Sequence, residues 1–395
     1  MYFNKEHVRL YLVSLLVFQI VSCSLIIHFA LAGQVDFRTF YTAGHLIRSG
    51  QVYDYPAELA AQNALVSPNR YALPFLYPPY AALLFAPFSL VSYKVAYFIF
   101  FLLNLYFCLA AATILRPYTL LIRARWRWAM PLLFLSFMPL GIALIYGQVS
   151  LFLLLLYCAC FAAIQSEKPY LAGIFLSLAL IKFQIALPIV LFFLLWRQWR
   201  FIAGFASGAV ALALVSLRVT GLKSSFAYLH SVVSMAGQTS NESKFAMFIT
   251  QMPSLHGFFH TISAGRPWGD VLTICFSLAV IVWTATRKPS LPLALLAAML
   301  VSYHLHLYDL TLLLLPISLI FNAELASEKH NYPALYAAAF MVIVALVKGS
   351  IPQDSEFLFV IPVAILFLYL GPIGAIPTST SIDTRAKVDQ TLATP

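Results

Sequence analysis

Charge is scarce in this chain. Only 10% of its 395 residues are Asp, Glu, Lys or Arg, against about 25% in a soluble domain. Carboxylates are the rarer sign, with 14 Asp and Glu beside 24 Lys and Arg. That scarcity excludes a string of soluble domains. Cysteine is sparse too. Cys23, Cys108, Cys158, Cys160 and Cys275 all sit in apolar segments, and none has disulfide-framework or zinc-ribbon spacing. They read as packing residues. No phosphate-binding loop or dinucleotide fingerprint is present.

What the chain has is apolar sequence. It is 62% hydrophobic with a mean hydropathy of +0.87. Several runs reach the ~17–25 residues that cross a bilayer. One polytopic all-α membrane unit over residues 1–371 is therefore expected, with a disordered cytoplasmic tail at 372–395. Lys5 and Arg9 precede an apolar run from Leu10 to Ala32. That run is longer than the ~7–15 residues of a signal-peptide core, so it reads as a retained first span.

The net charge of +10 is not a nucleic-acid footprint. Arg116, Arg123, Arg125 and Arg127 crowd one connection between apolar runs; Arg197 with Arg200, and Arg287 with Lys288, mark two others. Cytoplasmic loops carry such clusters under the positive-inside rule. Threading from there gives about twelve crossings, with external segments at 33–92 and 218–269. The run from Tyr77-Pro78-Pro79 to Val91 reads as re-entrant or interfacial, because a crossing there would put the arginine-rich connection outside. Two pairs of runs are short: 170–181 with 184–196, and 291–302 with 310–321. A helix of ~12 residues covers only ~18 Å. Their polar tips, Lys182 and the Ser302–Asp309 stretch, are thus expected partway into the bilayer, lining an outward-facing cavity.

Few residues on that side carry chemistry. Asp36 stands where the first span ends. Over 37–49, Arg38, Thr42, His45 and Ser49 share one helical stripe, and Phe40, Ala43 and Ile47 the other, as in an interfacial helix. Asp36 is either its N-cap or a general base at the cavity mouth. Lys182 interrupts an apolar run. An ionisable group at that depth costs ~2.5–3.5 kcal/mol, so it either snorkels to the interface or binds an anion such as phosphate. His304 and His306 are spaced i, i+2, whereas helical metal sites want i, i+4. No metal is expected there; one histidine donating to phosphate, with the other packed, fits better. Asp309 is either a helix N-cap or the partner of Lys182. Tyr77-Pro78-Pro79 can simply start a helix, with Pro79 in its first turn; Gln148, and the run Gln251 to Leu255, offer hydrogen bonds to sugar hydroxyls. No Asp-x-Asp motif of a nucleotide-sugar enzyme is present.

DFRTFYTAGHLIRSGQVYDYP followed by FLYPPYAALLFAPFSLV resembles the opening of glycosyltransferase family 87. The resemblance continues through YGQVSLFLLLL, LAGIFLSLALIKFQIALPIVLFFLLWRQWR, QMPSLHG and VSYHLHLYDLTLLLLP, most of residues 10–321. It implies a GT-C-like fold and transfer of a hexose, mannose in the characterised members, from a polyprenyl-phosphate sugar. The acceptor would be a glycolipid or glycan at the external face of a bacterial inner membrane. Asp36 would be the general base of an inverting displacement. Arg38, Lys182 and His304 would hold the donor phosphate. Tyr41, Tyr77, Gln148, His306 and Asp309 would line the substrate. No cofactor, metal or nucleic acid is implied; membrane lipids are the surroundings. A transporter or flippase is the rival class, since it too buries charge in a polytopic chain. A catalytically silent assembly protein is the third.

Overall fold

The computed structural model describes residues 5–236, 249–327, 331–347 and 353–373. Residues 374–395 of the expected tail lie outside them. Among the described residues there is no strand. This follows from the composition: in lipid a helix satisfies its own backbone, and an open sheet edge does not.

The first helix, α1 (Lys5–Leu31), ends at Gly33, φ 75°. Gln34 N–H donates to Phe29 O at 2.9 Å and Gly33 N–H to Ala30 O at 3.0 Å. That paired geometry is a Schellman cap, and a left-handed glycine is its usual hinge. The chain turns there into α2 (Phe37–Leu46), α3 (Tyr55–Leu65) and α4 (Pro79–Phe85). Asp54 caps α3 by accepting from Ala57 N–H at 3.3 Å, and prolines stand in the first turns of α3 and α4, where a missing N–H costs nothing.

α2 is not a helix with one wet face. Phe37 to Gly44 are all buried, including Arg38 and Thr42. α3, α4 and the 3-10 turn Ala86–Leu90 cover both stripes. Both ends of the run over α4 and that turn lie together: Tyr77 and Tyr93 are at the Asp36 end, the first bonded to Gln148 and the second packed on Phe37. The apolar run from Tyr77 therefore folds back, as its charge context predicts.

The irregular stretch between α3 and α4 must hide backbone polar groups. Two buried side chains of α3 do so. Gln62 accepts from Leu73 N–H at 3.0 Å and donates to Leu73 O at 2.7 Å. Glu58 accepts from Phe75 N–H at 2.9 Å. Burial pushes the Glu58 carboxyl up to about 8. The folded chain thus holds this proton more tightly than the unfolded one, and stability falls as pH rises from the ordinary carboxylate range through about 8. Glu58→Gln keeps the acceptor and removes the charge. It is expected to unfold at a higher temperature than the wild type at about pH 9 and to match it at about pH 5, by thermal unfolding in detergent. Equal pH dependence in both proteins would contradict this.

The remaining helices are α5 (Tyr93–Leu115), α6 (Leu120–Arg125), α7 (Ala129–Ser136), α8 (Met138–Tyr146), α9 (Ser150–Gln165), α10 (Pro169–Leu178), α11 (Phe183–Leu195), α12 (Trp199–Ala236), α13 (Leu255–Ile262), α14 (Pro267–Ala285), α15 (Leu291–Val301), α16 (Leu314–Ala326), α17 (Tyr332–Val347) and α18 (Val360–Ile373). Among the described residues, 7 stretches qualify as spans by length and apolarity, and the α7–α8 pair, bent by 61°, makes an eighth if it is one span. That is fewer than the twelve passes the hydropathy suggests, because α9, α15 and α17 are short apolar helices.

One of the seven, Pro169–Leu195, doubles back on itself. Phe201 touches both its arms: its carbonyl lies against Gly173, and its ring stacks on Phe193 with centroids 3.9 Å apart. A straight helix would hold Gly173 and Phe193 ~30 Å apart. The break is at Lys182, φ −122° and ψ 73°. So α10 and α11 form a helical hairpin with Lys182 at its tip, as the short runs suggest. α12 departs from expectation in the other direction. It continues past residue 217 to Ala236, broken only at Gly221, φ 74°.

Candidate functional site

Two helix ends bring the site together. α8 stops at Gly147, φ 62°. Gln148 N–H donates to Ala143 O at 2.9 Å and Gly147 N–H to Leu144 O at 3.2 Å, a second Schellman cap. A Cβ on Gly147 would stand 2.6 Å from Phe37 Cβ, closer than packed carbons allow. Glycine therefore serves twice here, for the left-handed backbone and for the approach of α2. Phe37 is fully buried, stacked on Phe100 at 5.2 Å and flanked by Tyr93 and Tyr97 at 5.7 Å. Tyr93 donates to Ala30 O at 3.0 Å and Tyr97 to Ile145 O at 2.9 Å. α5 thus pins the chain on both sides of the meeting point.

At that point Gln148 Nε2 donates to Asp36 Oδ2, and Tyr77 Oη donates to Gln148 Oε1 at 3.3 Å. Asp36 occupies the N-cap position of α2 but makes no side-chain cap bond. Its carboxylate is turned inward instead. Burial raises its pKa above the ordinary carboxylate value, the Gln148 bond and the charge of Lys182 working against that rise. The nearby Tyr308 hydroxyl also works, more weakly, against the rise.

Beneath it lies a buried charged pair. Lys182 Nζ donates to Asp309 Oδ1, with the side chains 3% and 0% exposed. Ser150 Oγ donates to the same oxygen at 2.9 Å and lies 3.4 Å from Lys182 Nζ. The ammonium also sits 4.6 Å over the Tyr308 ring, a cation–π contact. Asp309 Oδ2 accepts from His306 N–H at 3.2 Å, capping the 3-10 helix Leu307–Leu313. Asp309 therefore fills both roles open to it, helix cap and partner of Lys182. A buried pair with its remaining lone pairs satisfied is the form such a pair must take.

His304 and His306 stand edge to face, ring centroids 4.5 Å apart. Burial pushes their pKa down to about 3 and about 4, so both are neutral near pH 7 and offer hydrogen bonds without charge. His306 packs against Tyr308 at 5.2 Å. Among the described residues, His304 Nδ1 is buried with no hydrogen-bond partner.

Asp36, Tyr77, Gln148, Lys182, His304, His306 and Asp309 thus converge, from stretches up to 273 residues apart (309 − 36). Two expected members do not join them. Arg38 donates to Ser67 O at 3.3 Å, and Tyr41 to Val91 O at 2.8 Å. Both secure backbone carbonyls of the segment between α1 and α5. Two unexpected members do join, Ser150 and Tyr308. Ser150 had a signal, a hydroxyl in the first turn of an apolar run; Tyr308 had only its place beside Asp309. An apolar groove opens next to Asp36, lined by Ile26, Phe29, Val35, Ile145 and Tyr146, with Gln34 at its edge.

The arrangement presents one carboxylate held from one side by an amide, beside a paired ammonium and an orphan imidazole nitrogen. That set can accept a proton from a hydroxyl and donate hydrogen bonds to an anion. In comparisons with known proteins, the model of glycosyltransferase family 87 matches residues 75–316, more than half of the chain. The match takes in Tyr77, Gln148, Lys182, His304, His306 and Asp309, while Asp36 precedes it. No curated protein and no solved structure matches the chain. With its apolar helices and this family match, the chain belongs to glycosyltransferase family 87 and is a multi-pass membrane glycosyltransferase.

Proposed function

We propose that the protein transfers a hexose, mannose in the first instance, from a polyprenyl-phosphate sugar to a glycolipid or glycan acceptor, at the external face of a bacterial inner membrane. The observation that carries this reading is the Asp36 carboxylate, which declines its cap role and faces the Lys182–Asp309 pair while bonded to Gln148. Asp36 takes the proton of the acceptor hydroxyl. The acceptor oxygen bonds to the anomeric carbon as the bond from that carbon to the phosphate oxygen breaks. Polyprenyl phosphate leaves with the electron pair. Lys182 and His304 Nδ1–H steady the charge that grows on the departing phosphate, as fixed donors in a site shielded from water do. Arg38, bonded to Ser67, has no part in this. Tyr77 and Gln148 meet sugar hydroxyls, and the groove between α1 and α8 takes the polyprenyl chain. Its apolar lining and its position against Val35 suit a lipid tail arriving from the bilayer.

Membranes carrying the protein, given labelled polyprenyl-phosphomannose and a lipid extract, are expected to move label into a new glycolipid or glycan and to release polyprenyl phosphate. Transfer from a soluble nucleotide sugar under the same conditions, and none from the lipid donor, would overturn the donor assignment.

A further inference from the structure

We propose that His256, His260 and Asp270 form a site for one borderline divalent metal ion, zinc foremost, separate from the Asp36 group. Each offers a ligand atom, and these atoms lie within 4.8 Å of one another. His256 and His260 are spaced i, i+4 on α13, the spacing that sets two imidazoles on one helical face. Asp270 comes from the first turn of α14. The turn between them is tight. Gly265 N–H donates to His260 O at 2.9 Å, and the chain passes through Ala264 at φ 53° and Gly265 at φ 71°. A non-glycine residue in that region is costly, so the turn is held in a strained form that returns Asp270 toward the histidines.

A second observation points to a metal. His256 is buried, and its Nδ1 lies 3.1 Å from Tyr303 O. A carbonyl only accepts, so Nδ1 carries the proton and Nε2 is left with the lone pair. Metal-binding histidines are oriented in this way by a second-shell carbonyl. The His256 ring is further fixed by stacking on Tyr303, centroids 4.2 Å apart at 17°. Two imidazoles and one carboxylate suit zinc, at ~2.0–2.2 Å each, with a fourth position for water. Tetrahedral ligands at that length stand ~3.3 Å apart. Asp270 is exposed, and its side chain can swing in to close the set. Because His256 also holds Tyr303, the bound ion would tie α13 and α14 to the turn that carries His304.

The test uses full-length protein, purified in detergent without a polyhistidine tag and stripped with chelator, then titrated with zinc and with cobalt(II). One ion per chain is expected, with the visible absorption of four-coordinate cobalt, and a rise in unfolding temperature of roughly 5 °C or more at ~100 times Kd. His260→Gln and Asp270→Asn lie at the surface side of the site, so both variants are expected to fold. Each should weaken binding at least ~10-fold and abolish the thermal shift. The double variant His304→Gln/His306→Gln should bind as the wild type does. Wild-type affinity in the first two variants, no stoichiometric binding by the wild type, or loss of binding only in the His304/His306 variant would each overturn the proposal.

Discussion

Asp36→Asn is expected to lower transfer by ~10²–10⁴-fold, the usual worth of a general base, while leaving the fold and donor binding in place. Asparagine keeps an acceptor for Gln148 Nε2, whose bond is the main tether of the side chain. It also removes a carboxylate that burial already disfavours. The variant should therefore unfold no earlier than the wild type, which separates a catalytic loss from a structural one. The pH profile adds a readout that a merely structural role would not move. Asp36 must be deprotonated to act, and its pKa is raised, so wild-type activity should fall on the acid side at a higher pH than an ordinary carboxylate would give. Gln148 lowers that pKa. Gln148→Leu should move the acid limb to still higher pH. An unshifted limb in Gln148→Leu, or full activity in a folded Asp36→Asn, would remove Asp36 from the chemistry.

Lys182→Met is expected to destabilise the protein by about 3–5 kcal/mol, the cost of stranding one member of a buried pair. Asp309, with no exposure, would keep only Ser150 and the His306 N–H. The double variant Lys182→Met/Asp309→Leu replaces both charges with apolar groups of similar bulk, and should recover most of that loss. Transfer should not recover. If Lys182 holds the donor phosphate, the double variant stays at least ~10²-fold down, as after removal of a donor that steadies transition-state charge. Thermal unfolding and transfer assays on both variants decide the matter. A double variant that regains both stability and transfer would make Lys182 structural only.

The fold class was legible because it rests on composition and on run length. The hairpin at Lys182 was legible too. Two apolar runs, each too short to cross alone and joined by one lysine, leave few other arrangements. The surroundings of the short runs were less legible, since apolarity alone does not say whether lipid or protein covers a helix: in α15, Leu291 to Leu300 are all buried within the protein. α12 outran its expected end because nothing in the sequence after residue 217 breaks a helix except Gly221, and the helix is resumed beyond it.

In the site, single residues were legible and their pairing was not. Asp36 and Gln148 each stood out as polar groups at the end of an apolar run. That one bonds the other depends on two glycine-closed helix ends meeting across Phe37. Arg38 and Tyr41 stand apart from the group for a converse reason. Nearness to Asp36 in sequence suggested a shared site, but the irregular segment between α1 and α5 leaves the carbonyls of Ser67 and Val91 in need of donors. Ser150 and Tyr308 escaped notice because a lone hydroxyl or tyrosine in an apolar run is common and gains meaning only beside Lys182.

The central claim is that Asp36 acts as a base in one displacement at the anomeric carbon. The most direct measurement is the anomeric configuration of the first product formed by the wild type from a polyprenyl-phosphate sugar of defined anomer, read by NMR. A single displacement predicts inversion. Retention would require two successive displacements or attack from the face the phosphate leaves, and would contradict the account.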